Sequence, residues 1–494
     1  MKILNLIDEK LKTIAPVAII ILLLFYCLLR VPFYDEAHAY IISQLPFLDI
    51  FSLTKVEGHS ALWFLLLKIF APSVKFYPYN MLFFNWIIAS LFIIFFYRFF
   101  PFNNIIKTLI CLSAPFFHLY GVVARPYTLA LLILVFIVKL YLDDPLKKPY
   151  LYSALLVLFG YINIVCAFGS LIFLIFFIYD INKSKTFNKK KIFIISSIFI
   201  LGGLSYLLQV YNPDIEQMRK IEEINQFFKD LICLTLTPLR ASRNSTIFQM
   251  IFNITTFITL YTSIFMLFKK NNRSFIFLSS TYILMTLFFS FVYVGSIWHY
   301  YFYLIYLMVA YVIGFKDLKE EKIYNCILIL YLIVLLNPCS LFFDGKNPVL
   351  NSRHYIQMVQ EVKKINFENS KIYCFDYYGA FSAGSLPYLV KNNIDVYDVK
   401  GNKLNSKEGL KYVFKNRNTP FNLDNFDKIF NPNEINFLVN EGTDLELRFL
   451  EQENLKIVPN RGFIYKNKNH EYYFEIIEFI NDIGFTIYRI YKIK

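Results

Sequence analysis

Charge is what this chain has little of. Only 17% of its 494 residues are Asp, Glu, Lys or Arg, while 57% are hydrophobic; soluble domains sit nearer about 25% and about 45–50%. That balance excludes an ordinary soluble enzyme. The seven cysteines are scattered, mostly inside apolar runs, with no zinc-type spacing and no disulfide framework. There is no RNA-binding signature and no basic helix, so the net charge of +14 does not describe a nucleic-acid protein. No Gly-rich phosphate loop is present, since GAFSAG at 379–384 lacks the fingerprint, and nucleotide binding is not expected. No Ala-x-Ala-like cleavage site follows the first apolar run, which reads as a retained signal anchor.

What is present is a series of apolar runs long enough to cross roughly 30 Å of hydrocarbon. Span 1 is expected at about 14–29, span 2 at 79–97 and span 3 at 104–120. Span 4 follows Arg125 and ends at DDPLKKP. Spans 5 and 6 form a hairpin over 150–179, bending around Ala167–Gly169. Spans 7 to 11 are expected at about 192–210, 247–268, 275–296, 300–315 and 323–341. With about eleven spans and a cytoplasmic N-terminus, every Lys-rich short link falls on one side, which is the positive-inside distribution. The segment HSALWFLLLKIFA (59–71) is too short for a span and is interrupted by Lys68, so it reads as an interfacial helix. Counting it as a span would split the basic links between the two faces.

Apolar runs stop after Leu341. KIYCFDYY and IDVYDVKG read as strands flanking a helix, INFLVNEG with DLELRFLEQENL as another strand–helix pair, and the C-terminus as closing strands. The expected architecture is an all-α polytopic membrane bundle over 1–342, with a first external loop at 31–78, followed by a small extracytoplasmic α/β domain over 343–494.

In such a chain ionisable residues between apolar segments are functional candidates. Asp35 and Glu36 are adjacent in the aromatic setting PFYDEAHAY. They are either solvated interfacial carboxylates or a general base held in apolar surroundings, suited to take a proton from a hydroxyl. Glu57 and His59 are ordinary loop polars or, folded back over span 1, ligands for a divalent cation. Arg125, before Pro126, either snorkels to lipid phosphate or grips a ligand phosphate bidentately. His299, at the turn between spans 9 and 10, is either a lone interfacial residue or a phosphate ligand, and Arg240 and Arg243, in the long loop 211–246, are the other outward-facing candidates for a phosphate.

The order of these motifs resembles a family. Asp35-Glu36-Ala37-His38-Ala39-Tyr40 follows the first span, His59-Ser60-Ala61-Leu62-Trp63-Phe64-Leu65-Leu66-Leu67 comes about twenty residues on, then Ala124-Arg125-Pro126-Tyr127, then His299-Tyr300. This is similar to the integral-membrane glycosyltransferases of the GT-C fold, in the protein-mannosyltransferase-like and aminoarabinose-transferase-like branch. The likeness covers about the first 340 residues, with the family's paired prolines replaced by Ser60 and Ala61. It implies a polyprenyl-phosphate-linked sugar donor, a cell-surface acceptor (lipid, glycan or protein) and a reaction outside the cytoplasmic membrane. It also implies Asp35 as the catalytic aspartate of the first loop and Arg125 near the donor phosphate. Some members use a divalent metal and others do not.

Three rivals remain at this level. A lipid-sugar transporter would carry midplane charges and internal repeats, whereas charges here sit at span ends and no clear repeat is seen. A polysaccharide polymerase or ligase would make Arg240, Arg243 and His299 matter more than Asp35. A scaffold protein with a membrane anchor would not need eleven spans.

Overall fold

The computed structural model describes residues 2–57, 60–184, 187–210, 247–292, 297–315, 322–336, 354–365, 370–375, 380–397, 403, 435–441, 455–458, 462–466, 471–480 and 485–493. Its contacts divide the chain into two compact units: Met1–Leu29, Thr54–Trp63 and Leu82–Asn347 form one, and Arg30–Leu53, Phe64–Met81 and Pro348–Lys494 the other.

The first unit is a helical bundle. Its helices are α1 (Lys2–Leu29), α5 (Tyr79–Phe99), α6 (Asn104–Leu112), α7 (Tyr127–Asp143), α8 (Pro149–Ile162), α9 (Ile164–Ser184) and α10 (Lys189–Val210). After the long loop come α11 (Ile247–Lys270), α12 (Asn272–Phe291), the short α13 (Ile297–Tyr300), α14 (Phe302–Gly314) and α15 (Lys322–Leu335). Five of the described helices are long and apolar enough to cross a membrane: Ile7–Leu29, Tyr79–Phe99, Ile164–Ser184, Lys189–Val210 and Asn272–Phe291. The protein is thus a polytopic helical membrane protein. Every residue of α14 from Phe302 to Ile313 is buried, so this helix, apolar all round, forms part of the bundle's core. At the opposite end of the burial range, α10 keeps most of its surface exposed.

Three of the expected spans differ in detail. Span 3 is not one helix. α6 stops at Ser113, and a π-helical stretch, Pro115–Gly121, follows. Pro115 has no N–H to continue the ladder, and its ring crowds the preceding turn. Gly121 lets this stretch approach α1: a Cβ there would lie 2.9 Å from the Phe116 carbonyl oxygen and 3.0 Å from Leu23. Asn85 holds the same point, donating its amide to the Gly121 carbonyl at 3.0 Å.

The α8–α9 hairpin bends at Asn163, not at Ala167–Gly169. Asn163 is extended, and its side-chain oxygen accepts the Val165 N–H at 3.0 Å, capping α9. Gly169 sits inside α9 and serves as a seat for Tyr306, because any Cβ there would fall 2.6 Å from the Tyr306 ring. At the other end of the bundle Asp8 caps α6, accepting the Asn104 and Ile105 N–H groups at 2.6 and 3.1 Å.

The 31–78 segment, expected as a loop with one interfacial helix, is largely helical. It contains α2 (Tyr34–Gln44), α3 (Phe47–Glu57) and α4 (Leu62–Phe70). At nine residues, α4 reaches only about 13 Å, too short to cross.

The second unit centres on a seven-stranded sheet in the order β2-β1-β3-β7-β6-β5-β4. Its strands are β1 (Ser370–Phe375), β2 (Val396–Tyr397), β3 (Ile435–Glu441), β4 (Leu455–Val458), β5 (Gly462–Lys466), β6 (Glu471–Ile480) and β7 (Phe485–Lys492). β2, β1 and β3 are parallel, and the remaining pairings are antiparallel. A helix, α16 (His354–Ile365), precedes β1, and α17 (Ala380–Lys391) crosses from β1 to β2. The β-α-β unit read at 371–401 is therefore present. The helix expected from DLELRFLEQENL falls outside the described residues, apart from Leu455 at its end, which opens β4.

Candidate active site

α2 begins two residues after Pro32. Phe33 is extended at its N-cap, and Asp35 and Glu36 stand in its first turn, where the unpaired N–H groups of a helix favour negative charge. Glu36 is at the third helical position and reaches back: its Oε2 accepts the Phe33 N–H at 2.8 Å. That is the return half of a capping box. The same carboxylate is gripped bidentately by Arg30, one branch at 2.5 Å to Oε2 and the other on Oε1. Neither side chain of this ion pair has any solvent exposure. Its neighbour Asp35 is half-buried. The two adjacent carboxylates thus have different surroundings. Glu36 has both oxygens engaged in holding the chain's turn from Arg30 into α2.

α2 is also held at its far end. The Lys68 ammonium donates to the Ser43 carbonyl at 3.3 Å and the Leu45 carbonyl at 2.7 Å. Gln44 donates across to the Ala71 carbonyl at 3.4 Å. On its flank, Tyr40 packs against Tyr77 with ring centroids 4.7 Å apart, and Asn80 donates to the Tyr40 hydroxyl at 3.3 Å. Tyr77 meets Tyr388 of α17 edge-on at 4.9 Å. Burial pushes the Tyr77 and Tyr388 phenols well above their ordinary value, so both are neutral at any physiological pH.

In the helical unit, Arg125 lies in the turn between the π-helical stretch and α7. Its backbone N–H donates to the Val123 carbonyl at 2.8 Å, a tight two-residue turn, and its side chain is half-buried. Two motifs read separately in the sequence converge beside it in the chain. Tyr127, two residues on, has its hydroxyl 3.1 Å from His299 Nε2, and the two rings meet edge-on at 5.9 Å. Trp298 lies parallel to the Tyr127 ring at 6.4 Å, and the Tyr120 hydroxyl donates to the Trp298 carbonyl at 2.6 Å. His299 is only 6% exposed.

The other expected residues lie outside what is described. Arg240 and Arg243 fall in 211–246, His59 is in the gap after α3, and for Glu57 only its place at the end of α3 is described. A cation on Glu57 and His59 therefore stays an expectation from sequence. Among the described residues no group of three His, Cys, Asp or Glu side chains stands close enough to hold a metal ion. Sequence reading passed over Arg30, Lys68, Tyr77 and Tyr388. Arg30 looks like a cation at the end of an apolar run, Lys68 reads only as an interruption of one, and the two tyrosines are ordinary members of a chain with 37 of them.

No protein-family model matches the chain, and no curated protein sequence does. Among solved structures, ArnT from Cupriavidus metallidurans, crystallised bound to undecaprenyl phosphate, matches with a TM-score of 0.51. The match covers 96% of this chain and 97% of that one, at 11% sequence identity. At that identity the likeness is one of fold. The chain has an ArnT-like fold, the GT-C type on which the resemblance carried by Asp35-Glu36 and Arg125-Pro126-Tyr127 had converged.

Proposed function

We propose that this protein is a membrane glycosyltransferase that moves a sugar from a polyprenyl-phosphate-linked donor to a cell-surface acceptor on the outer side of the cytoplasmic membrane. The observation that carries the reading is the division of labour at the start of α2, where Glu36 is locked in a buried pair and Asp35 is left half-buried beside it. A catalytic carboxylate must be both held in place and reachable; the buried Arg30–Glu36 pair fixes the first turn of α2, and Asp35 beside it keeps part of its surface exposed. The ArnT-like fold and that protein's bound undecaprenyl phosphate support the donor class.

In this reading an acceptor hydroxyl gives its proton to the Asp35 carboxylate as its oxygen attacks the anomeric carbon. The bond from that carbon to the donor phosphate breaks, and the polyprenyl phosphate leaves with the electron pair. One displacement inverts the anomeric configuration. Arg125 stabilises the charge gathering on the departing phosphate, the role a fixed guanidinium suits best. Tyr127 and His299, joined to each other at 3.1 Å, shape the turn that presents it. Glu36 acts by position, through Arg30 and the Phe33 N–H.

The test uses the full chain in lipid nanodiscs with a lipid-linked sugar fraction extracted from membranes, following undecaprenyl phosphate release by mass spectrometry. Asp35→Asn is expected to cut turnover by about 10²–10⁴-fold while undecaprenyl phosphate still binds. Arg125→Ala is expected to weaken that binding. Full turnover in Asp35→Asn removes Asp35 as the base. Comparing surface glycolipids and glycoproteins of cells with and without the gene then names the sugar and its acceptor.

A further inference from the structure

We propose that the C-terminal α/β domain is a positioning element for the helix that carries Asp35, with Tyr388 and Lys391 as its contact residues. This deepens the transferase reading and rests on it.

The geometry is a continuous path from the sheet to α2. α17 is fixed at its end by the turn into β2, where Ile394 and Val396 are buried, and it packs along α2. Tyr388, 7% exposed, meets the fully buried Tyr77, and Tyr77 in turn lies 4.7 Å from the fully buried Tyr40 of α2. Three rings thus run from the domain into the flank of α2, five residues from Asp35. Lys391 adds a polar tie, its ammonium donating to the Tyr77 carbonyl at 2.8 Å.

These contacts are specific where a domain merely tethered to the membrane would need none. A lysine spends considerable side-chain entropy to hold a single backbone carbonyl. Displacing a reacting group by about 1 Å can cost about 10²-fold in rate, so an element that fixes the lateral position of α2 acts on turnover directly. Tyr388 and Lys391 touch neither donor nor acceptor in this account. They act through Tyr77 and Tyr40.

The experiment compares wild type, Tyr388→Ala, Tyr388→Phe and Lys391→Met in the full chain. It reads amide hydrogen exchange over 37–44 and over β1, together with kcat and KM for undecaprenyl phosphate release from the membrane lipid-linked sugar fraction. In Tyr388→Ala, exchange over 37–44 is expected to rise at least about tenfold with β1 unchanged. In the same variant kcat is expected to fall about 10–100-fold with KM within about twofold. Tyr388→Phe is expected to behave as wild type, because the ring and not the hydroxyl makes the path. Lys391→Met should give a smaller change in the same direction. Unchanged exchange over 37–44 in Tyr388→Ala overturns the proposal, as does faster exchange with full kcat. If wild type releases no undecaprenyl phosphate, the transferase reading fails instead, and the exchange arm alone decides whether the domain positions α2.

Discussion

Arg30 and Glu36 are charged groups with no water on either side chain, and such a pair has asymmetric energetics. Removing both charges together costs little, whereas removing one strands the other, at about 3–5 kcal/mol. Arg30→Met is therefore expected to destabilise the purified chain by about that amount in thermal or denaturant unfolding. The double variant Arg30→Met/Glu36→Leu should recover most of it. Turnover should stay low in the double variant even so, because the Phe33 N–H has lost the oxygen that sets the entry of α2. Equal stability of Arg30→Met and wild type would mean that the pair is water-exposed in solution. Asp35 and Glu36 were visible in the sequence as adjacent acids in an apolar setting, and the family resemblance singled out Asp35, but composition and spacing alone did not separate them. Their difference comes from Arg30, six residues upstream, whose position after an apolar run is what any membrane-end arginine looks like. Partnership across a bend is a tertiary fact, and periodicity carries no trace of it.

For whole elements the sequence was more informative. Long apolar runs announced α5, α10, α12 and the second half of α1, because crossing hydrocarbon demands length and leaves an unmistakable composition, whereas the bend expected at Ala167–Gly169 falls inside α9. Single-residue breaks were harder to see. Asn163 ends α8 inside a stretch that is apolar on both sides, and the Gly169 taken for a bend is a packing seat for Tyr306. A glycine inside a helix does not say which of the two it is until its neighbour is known. The β-α-β core of the second unit was legible from alternation bounded by turn residues, whereas β4 and β5, four and five residues long, were too short to register. α2 was missed as a helix: Glu36 caps its start locally, but its far end is held by groups more than twenty residues away in the chain. One of these gives a test: Lys68 covers the last carbonyls of α2 at Ser43 and Leu45. Lys68→Met should cost about 1 kcal/mol and speed amide exchange in the last turn of α2, leaving the first turn, held by Glu36, as protected as in wild type. Uniform loss of protection along α2 would mean that its two ends are not independently held.

At the scale of the whole molecule, the proposal has a topological requirement. Chemistry on a lipid-linked donor outside the cytoplasmic membrane needs the α/β domain outside and the basic links inside. The link 182–191, with Lys183, Lys185, Lys189, Lys190 and Lys191, is the most basic short connection in the chain and should resist translocation most strongly. The α/β domain begins after the last apolar run, on the opposite side if the crossings alternate as read. In a cysteine-free background, Asn182→Cys and Lys363→Cys report the two sides from exposed positions. A membrane-impermeant maleimide should label Lys363→Cys in right-side-out vesicles and Asn182→Cys only in inverted ones. Labelling of both from the same side would place the α/β domain and the basic link together. An exported lipid-linked sugar would then be out of reach of α2, since α2 belongs to the same compact unit as that domain.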